Sequence, residues 1–117
     1  MRMAVVYRWS RSIPGREAEA MKTMAENHAF LERMIAEDRV TSAEYVNFWT
    51  DVWSNSLIVR GEREGLMSVL AEPEHREIVA KAAYTTEEFR IDFAEVGENP
   101  SEVYGAWAAM LQTKATG

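Results

Sequence analysis

Cysteine is absent from the sequence. That excludes a disulfide framework, thiolate chemistry and cysteine-based zinc sites together, and makes a reducing cytoplasm the expected setting. No window approaches the roughly 18 consecutive apolar residues of a membrane-spanning helix, and no basic amphipathic face is present to lie on a bilayer. Positive charge is scarce: 13 Lys and Arg stand against 19 Asp and Glu, a net charge of -6. With no long basic run, nucleic acid would be repelled rather than steered in. The opening "MRMAVVYRWSR" is too short and polar for a signal peptide, since its apolar run ends at Arg8 and no small-residue cleavage site follows. Gly15, Gly61 and Gly65 form no phosphate-binding pattern, and no nucleophile elbow occurs.

What is present is enough for one domain. A chain of 117 residues buries about two thirds of its unfolded surface and so can own a core. Residues 3–10, "MAVVYRWS", are rich in β-branched and aromatic types and read as a first strand. Both of its alternating faces carry bulk, Met3, Val5, Tyr7 and Trp9 on one and Ala4 and Val6 on the other, which predicts cover on both sides. A helix follows, with Pro14 in its first turn and apolar residues at Ala18, Met21, Ala25, Leu31 and Ile35, widened by Met24 and Met34. His28 falls on that stripe. Residues 42–49, "SAEYVNFW", read as a second strand, "TDVWSN" as turn residues and "SLIVRG" as a third strand, together a hairpin. A second helix runs to "KAAYT" with a break expected at Pro73. In "EEFRIDFAEV", Phe89, Ile91 and Phe93 alternate with Arg90 and Asp92, a fourth strand. A C-terminal helix is expected over 99–114, with Asn99 at its N-cap, Pro100 at N1, Glu102 at N3, and Val103, Trp107 and Leu111 along its apolar edge.

The order β-α-β-β-α-β is the split βαβ, or ferredoxin-like, plan of the α+β class: one antiparallel sheet with two helices on one face. Strands apolar on both faces would leave the other face as a large exposed patch. The economical solution is a homodimer in which two sheets pack face to face about a two-fold axis, closing a barrel. The reading is one domain over 1–117, with a core over 3–96.

The segments "VVYRW", "IPGREAEAMKTM" and "LAEPEHREIVAKAA" resemble, in pattern and length, the dimeric α/β-barrel superfamily, antibiotic biosynthesis monooxygenase-like. The resemblance implies a cleft between the two helices and the sheet. It also implies a small-molecule enzyme, a cofactor-free monooxygenase or cyclase acting on an aromatic or polyketide-like compound. The alternative is a non-enzymatic small-molecule-binding or structural dimer. Haem-degrading relatives are similar in placing an Asn on the first strand and a Trp and His on the second helix. This chain has His75 there, but no Asn in "MAVVYRWSR" and no Trp between 54 and 106.

The candidate catalytic residues are His28, Tyr7 and Asn47. An imidazole titrates near neutrality and can move protons; a phenol and an amide can orient a substrate. Trp9, Trp49, Arg8 and Met24 are the candidate substrate-binding residues. The aromatic rings would wall a flat apolar or aromatic ligand, Met24 would shape an adaptable pocket, and Arg8 would anchor an anion or else pair with Asp92 or Glu44. Each has a plainer reading, as core, interface or ion pair. Glu72, Glu74, His75 and Glu77 point in different directions along a helix, so "EPEHRE" reads as a solvated helix start, with no metal and no cofactor expected.

Overall fold

The structure, a computed structural model, describes residues 1–105. Its main sheet is built from β1 (Arg2–Trp9), β3 (Ser42–Asn47), β4 (Asn55–Glu62) and β6 (Arg90–Glu95), in the order β3-β4-β1-β6 and antiparallel throughout. Helices α1 (Glu17–Ala36), α2 (Arg63–Leu70) and α3 (Pro73–Thr85) complete the β-α-β-β-α-β plan. This is the ferredoxin-like α+β fold. A small second sheet, β2 (Arg11–Ser12) against β5 (Thr86–Glu87), ties the entry of α1 to the exit of α3; nothing in the alternation of either segment marks it.

The strand register puts Val5, Tyr7 and Trp9 on the same face as Leu57 and Val59 of β4 and Ala43 and Tyr45 of β3. On this face Val5, Tyr7, Leu57 and Val59 meet Phe30, Leu31 and Met34 of α1, Leu66 and Val69 of α2, and Ile78 of α3 in one core. The opposite face carries Ala4, Val6, Val46 and Ile58 among Arg8, Glu44, Arg60, Arg90 and Asp92, with no described element laid over its centre.

Several element ends differ from expectation. Pro14 and Gly15 form the turn before α1 rather than its first turn, because Gly15 takes φ +89, a left-handed conformation that a helix cannot contain. The Gly15 N–H instead donates to the Glu17 carboxylate at 2.9 Å. β3 ends at Asn47, so Phe48 and Trp49 lie in the hairpin loop. The second helix is two helices, with Pro73 at the first position of α3, where its missing N–H leaves no bond unmade. Residues 100–105 are helical. Asn99 caps them as expected, its Oδ1 accepting from the Glu102 N–H at 3.2 Å while its Nδ2 donates to Glu102 Oε1 at 3.2 Å. Trp107, Leu111 and the rest of the expected 99–114 helix lie outside the described residues.

Candidate functional site

Two buried polar side chains meet at the centre of the core. β1 is an inner strand, so its inward alternation carries Tyr7 under the helices, 6% exposed. The restart of the helix at Pro73 sets the turn on which His75 lies: one and two turns on, Ile78, Val79 and Ala82 continue its face toward the sheet. His75 is consequently 5% exposed, and its Nε2 lies 2.6 Å from the Tyr7 hydroxyl. Their rings meet edge-on at 5.9 Å, with Phe30 at 6.3 Å from the imidazole.

The electrostatics of the pair follow from burial. Loss of water pulls the His75 pKa below its ordinary value, opposed by a hydrogen bond to the Leu70 carbonyl. In the neutral imidazole with its hydrogen on Nδ1, Nε2 accepts the Tyr7 proton. Burial also raises the Tyr7 pKa well above the ordinary phenol value. The ground state is therefore neutral imidazole beside neutral phenol. The lone pairs of the Tyr7 oxygen remain available to a third group.

That third group has a place to sit. A cleft between α1, α3 and the sheet reaches the pair, walled by Trp9, Leu57 and Tyr45 from the strands, Ala20, Thr23, Met24 and Asn27 from α1, Ile78, Val79 and Ala82 from α3, and Phe89 beyond it. Thr23 and Thr85 turn their hydroxyls back to the Glu19 and Lys81 carbonyls of their own helices, at 3.0 and 2.8 Å, which keeps this wall apolar. The cavity measures about 70 Å³, and the empty space counted out into the solvent at its mouth about 670 Å³. Closed pockets of roughly 300–1,000 Å³ bury drug-sized ligands. Here only one end of such a molecule would be enclosed. Among the described residues no group of His, Asp and Glu is arranged to hold a metal ion, and no helix is long and apolar enough to cross a membrane.

Of the residues singled out from sequence, the cleft brings together Tyr7, Trp9 and Met24. His28 is elsewhere. Rather than facing the core, it stands on the outer side of α1, its side chain 54% exposed, with Nδ1 3.0 Å from Tyr45 Oη and Nε2 3.0 Å from Glu32 Oε1. The buried side of α1 carries Ala20, Thr23, Phe30, Leu31 and Met34, a stripe rotated by about one residue from the expected one. Asn47 is exposed at the end of β3, opposite Asn55. Trp49 is 95% exposed in the hairpin loop. Arg8 is on the far face of the sheet, where it pairs with Asp51 at 2.9 Å rather than with Asp92 or Glu44 and lies over the Phe48 ring at 5.1 Å. Asp92 and Glu44 have partners of their own in Arg90 and Arg60. Trp53, at the hairpin tip, is sheltered by its Nε1 donating to the Glu88 carbonyl at 2.9 Å and by Arg90 over its ring at 5.1 Å.

The residue that sequence reasoning missed is His75. The surrounding "EPEHRE" is charged, yet Glu72 and Glu74 do not share its fate: they reach outward to Arg39 and Arg33. The usable signal was its spacing, three and seven residues before Ile78 and Ala82.

The architecture defines the class: a ferredoxin-like protein with an apolar cleft between its helices and its sheet. No protein-family profile and no curated protein matches the chain. Solved structures do. Rv0793 from Mycobacterium tuberculosis matches over 85% of this chain and 98% of its own, at 18% identity and TM-score 0.64. SnoaB, a cofactor-independent oxygenase from Streptomyces nogalater, matches over 84% and 95%, at 13% identity and TM-score 0.64. A dimeric ferredoxin-like protein of unknown function from Jannaschia sp. CCS1 matches over 82% and 100%, at 11% identity and TM-score 0.65. At these identities the likeness is one of fold.

Proposed function

We propose that the protein is a homodimeric small-molecule enzyme that acts on an aromatic or polyketide-like compound without a bound cofactor, as a monooxygenase or a cyclase. The observation that carries this reading is the Tyr7–His75 pair, 2.6 Å apart at the enclosed end of an apolar cleft. A phenolic ligand entering hydroxyl-first would donate to the Tyr7 oxygen. As Tyr7 accepted that proton it would pass its own to His75, so the ligand becomes an anion in a site that excludes water. An electron-rich phenolate of the anthrone type reacts with dioxygen itself. One oxygen atom enters the ring system as a carbonyl, and the other leaves as water with the two hydrogens of the oxidised carbon. The protein then has only to orient, desolvate and move one proton.

Trp9 would wall the ring system, and Met24 would adapt to it at the mouth. Arg8, Asn47 and Trp49 lie outside the cleft of their own protomer and are given no role in it. A dimer through the uncovered sheet face is supported by the apolar residues there, and the structural neighbour from Jannaschia sp. is itself described as dimeric. The net charge of -6 argues against a nucleic-acid partner, and the lack of cysteine supports a cytoplasmic setting.

The test is incubation with an anthrone-like phenol under oxygen, following quinone absorbance and oxygen uptake. Turnover should fall by about 10²-fold or more in His75→Ala, the usual contribution of a proton-transfer group. Saturable binding of the phenol with no turnover would replace the enzyme by a carrier or sensor. Turnover unchanged in His75→Ala would remove the role given to the pair.

A further inference from the structure

The chain has two histidines, and each holds a tyrosine that lines the same cleft. Tyr7 is held by His75; Tyr45 is held by His28, whose other nitrogen is 3.0 Å from Glu32 Oε1. A carboxylate accepts only, so it fixes the hydrogen on His28 Nε2, and in the neutral imidazole Nδ1 is then left to accept the Tyr45 proton. The result repeats at the mouth what is found at the enclosed end, a phenol whose hydrogen is committed to an imidazole and whose oxygen can accept from a ligand.

The two tyrosines are also in one rank. Both are paired in register with Leu57: Tyr7 faces it across β1–β4, and Tyr45 faces it across β3–β4. Two strand spacings of about 4.8 Å set the two residues roughly 9.6 Å apart, with the buried, apolar Leu57 between them.

We infer that Tyr45, positioned by His28 and Glu32, is a second anchoring group of the cleft, and that the ligand is a flat aromatic diol with hydroxyls at opposite ends of its ring system. One hydroxyl donates to Tyr7 in the enclosed end, the rings lie over Leu57, and the other hydroxyl donates to Tyr45 at the mouth. This rests on the cleft being a site for an aromatic small molecule, and it adds which part of that molecule is read and by what. His28 acts through Tyr45 and is a positioning residue.

The experiment is a fluorescence titration of the full chain with 2-naphthol and with 2,6-dihydroxynaphthalene. Wild type should bind the diol roughly fivefold tighter than the mono-ol, the worth of one further hydrogen bond. Tyr45→Phe should bring that ratio close to one, and His28→Ala should lower it while leaving the fold intact by circular dichroism. Equal affinities in wild type, or a preference for the diol that survives Tyr45→Phe, would overturn the second anchor and leave the cleft reading standing. If neither naphthol binds, the aromatic-ligand reading itself falls, and the anchor with it.

Discussion

Burying an imidazole changes the pH at which it can carry a proton. His75 is held neutral by its surroundings, with its pKa below the ordinary value, while in the unfolded chain it protonates near 6.5. Above that pH both states are neutral and the shift costs nothing. As pH falls through 6.5 the unfolded chain takes up a proton that the folded chain refuses, so stability drops, by up to about 1.4 kcal/mol per pH unit. The loss levels off once the folded-state pKa is passed. Urea unfolding of wild type and His75→Leu between pH 8 and 5 should show this component in wild type and not in the variant. A second prediction concerns what the pair is worth. Tyr7→Phe leaves His75 Nε2 buried without its partner, which should cost about 1–3 kcal/mol. Tyr7→Phe with His75→Leu should recover part of that, because the orphaned imidazole nitrogen is removed with its ring. The alternation of its strand made Tyr7 legible as sharing a covered face with Val5 and Trp9, without telling that face from the other. His75 was not legible, because four of the six residues in "EPEHRE" are charged and burial there is decided by the turn on which Pro73 restarts the helix.

At the scale of elements, local preference and packing pull in opposite directions at Gly65. It sits within the eight-residue helix α2, where glycine is about 1 kcal/mol worse than alanine. On propensity alone, Gly65→Ala should stabilise. A Cβ at this position, however, would collide with the Arg39 carbonyl oxygen and lie 3.2 Å from its carbon, backbone atoms that cannot turn aside. Forcing atoms into packed structure costs about 1–3 kcal/mol, so the variant should be less stable by a net of roughly 0–2 kcal/mol. A rise in the urea midpoint would show that the α1–β3 connection yields instead. The order of elements and the break at Pro73 were readable because periodicity, proline and glycine report on the backbone directly. The rotation of α1 was not. Ala18, Met21 and Ala25 on one side compete with Ala20, Met24 and Ala29 on others, and small apolar residues spread around a helix fix its period without fixing its phase. His28 was set on the wrong side by that ambiguity, Trp49 was placed in a strand that ends two residues before it, and Asn47, the last residue of β3, falls beyond the part of the sheet that the cleft reaches.

For the whole molecule, the sheet asks for more protein than one chain supplies. Its two inner strands, β1 and β4, bring Val6 and Ile58 into register at the middle of the uncovered face. Beside them Ser56 is 3% exposed, and its Oγ makes no hydrogen bond within the described chain. Arg60–Glu44 and Arg90–Asp92 pairs, at 2.9 and 2.7 Å, stand on the two outer sides of this patch. An apolar centre with a charged rim is the pattern of an interface, and one shared by identical chains closes about a two-fold axis. The particle should therefore weigh about 27 kDa in solution, twice the 13.3 kDa chain. Ile58→Glu should halve it. The new carboxylate would be desolvated at the centre of the dimer, whereas in the monomer it meets water and leaves the helix-covered core untouched, since Ile58 is not part of that core. Light scattering reads the mass and circular dichroism the fold. A wild-type mass near one chain would mean that the uncovered face is stable in water as it stands. A variant that stays at twice the chain mass would place the two-fold contact on another surface.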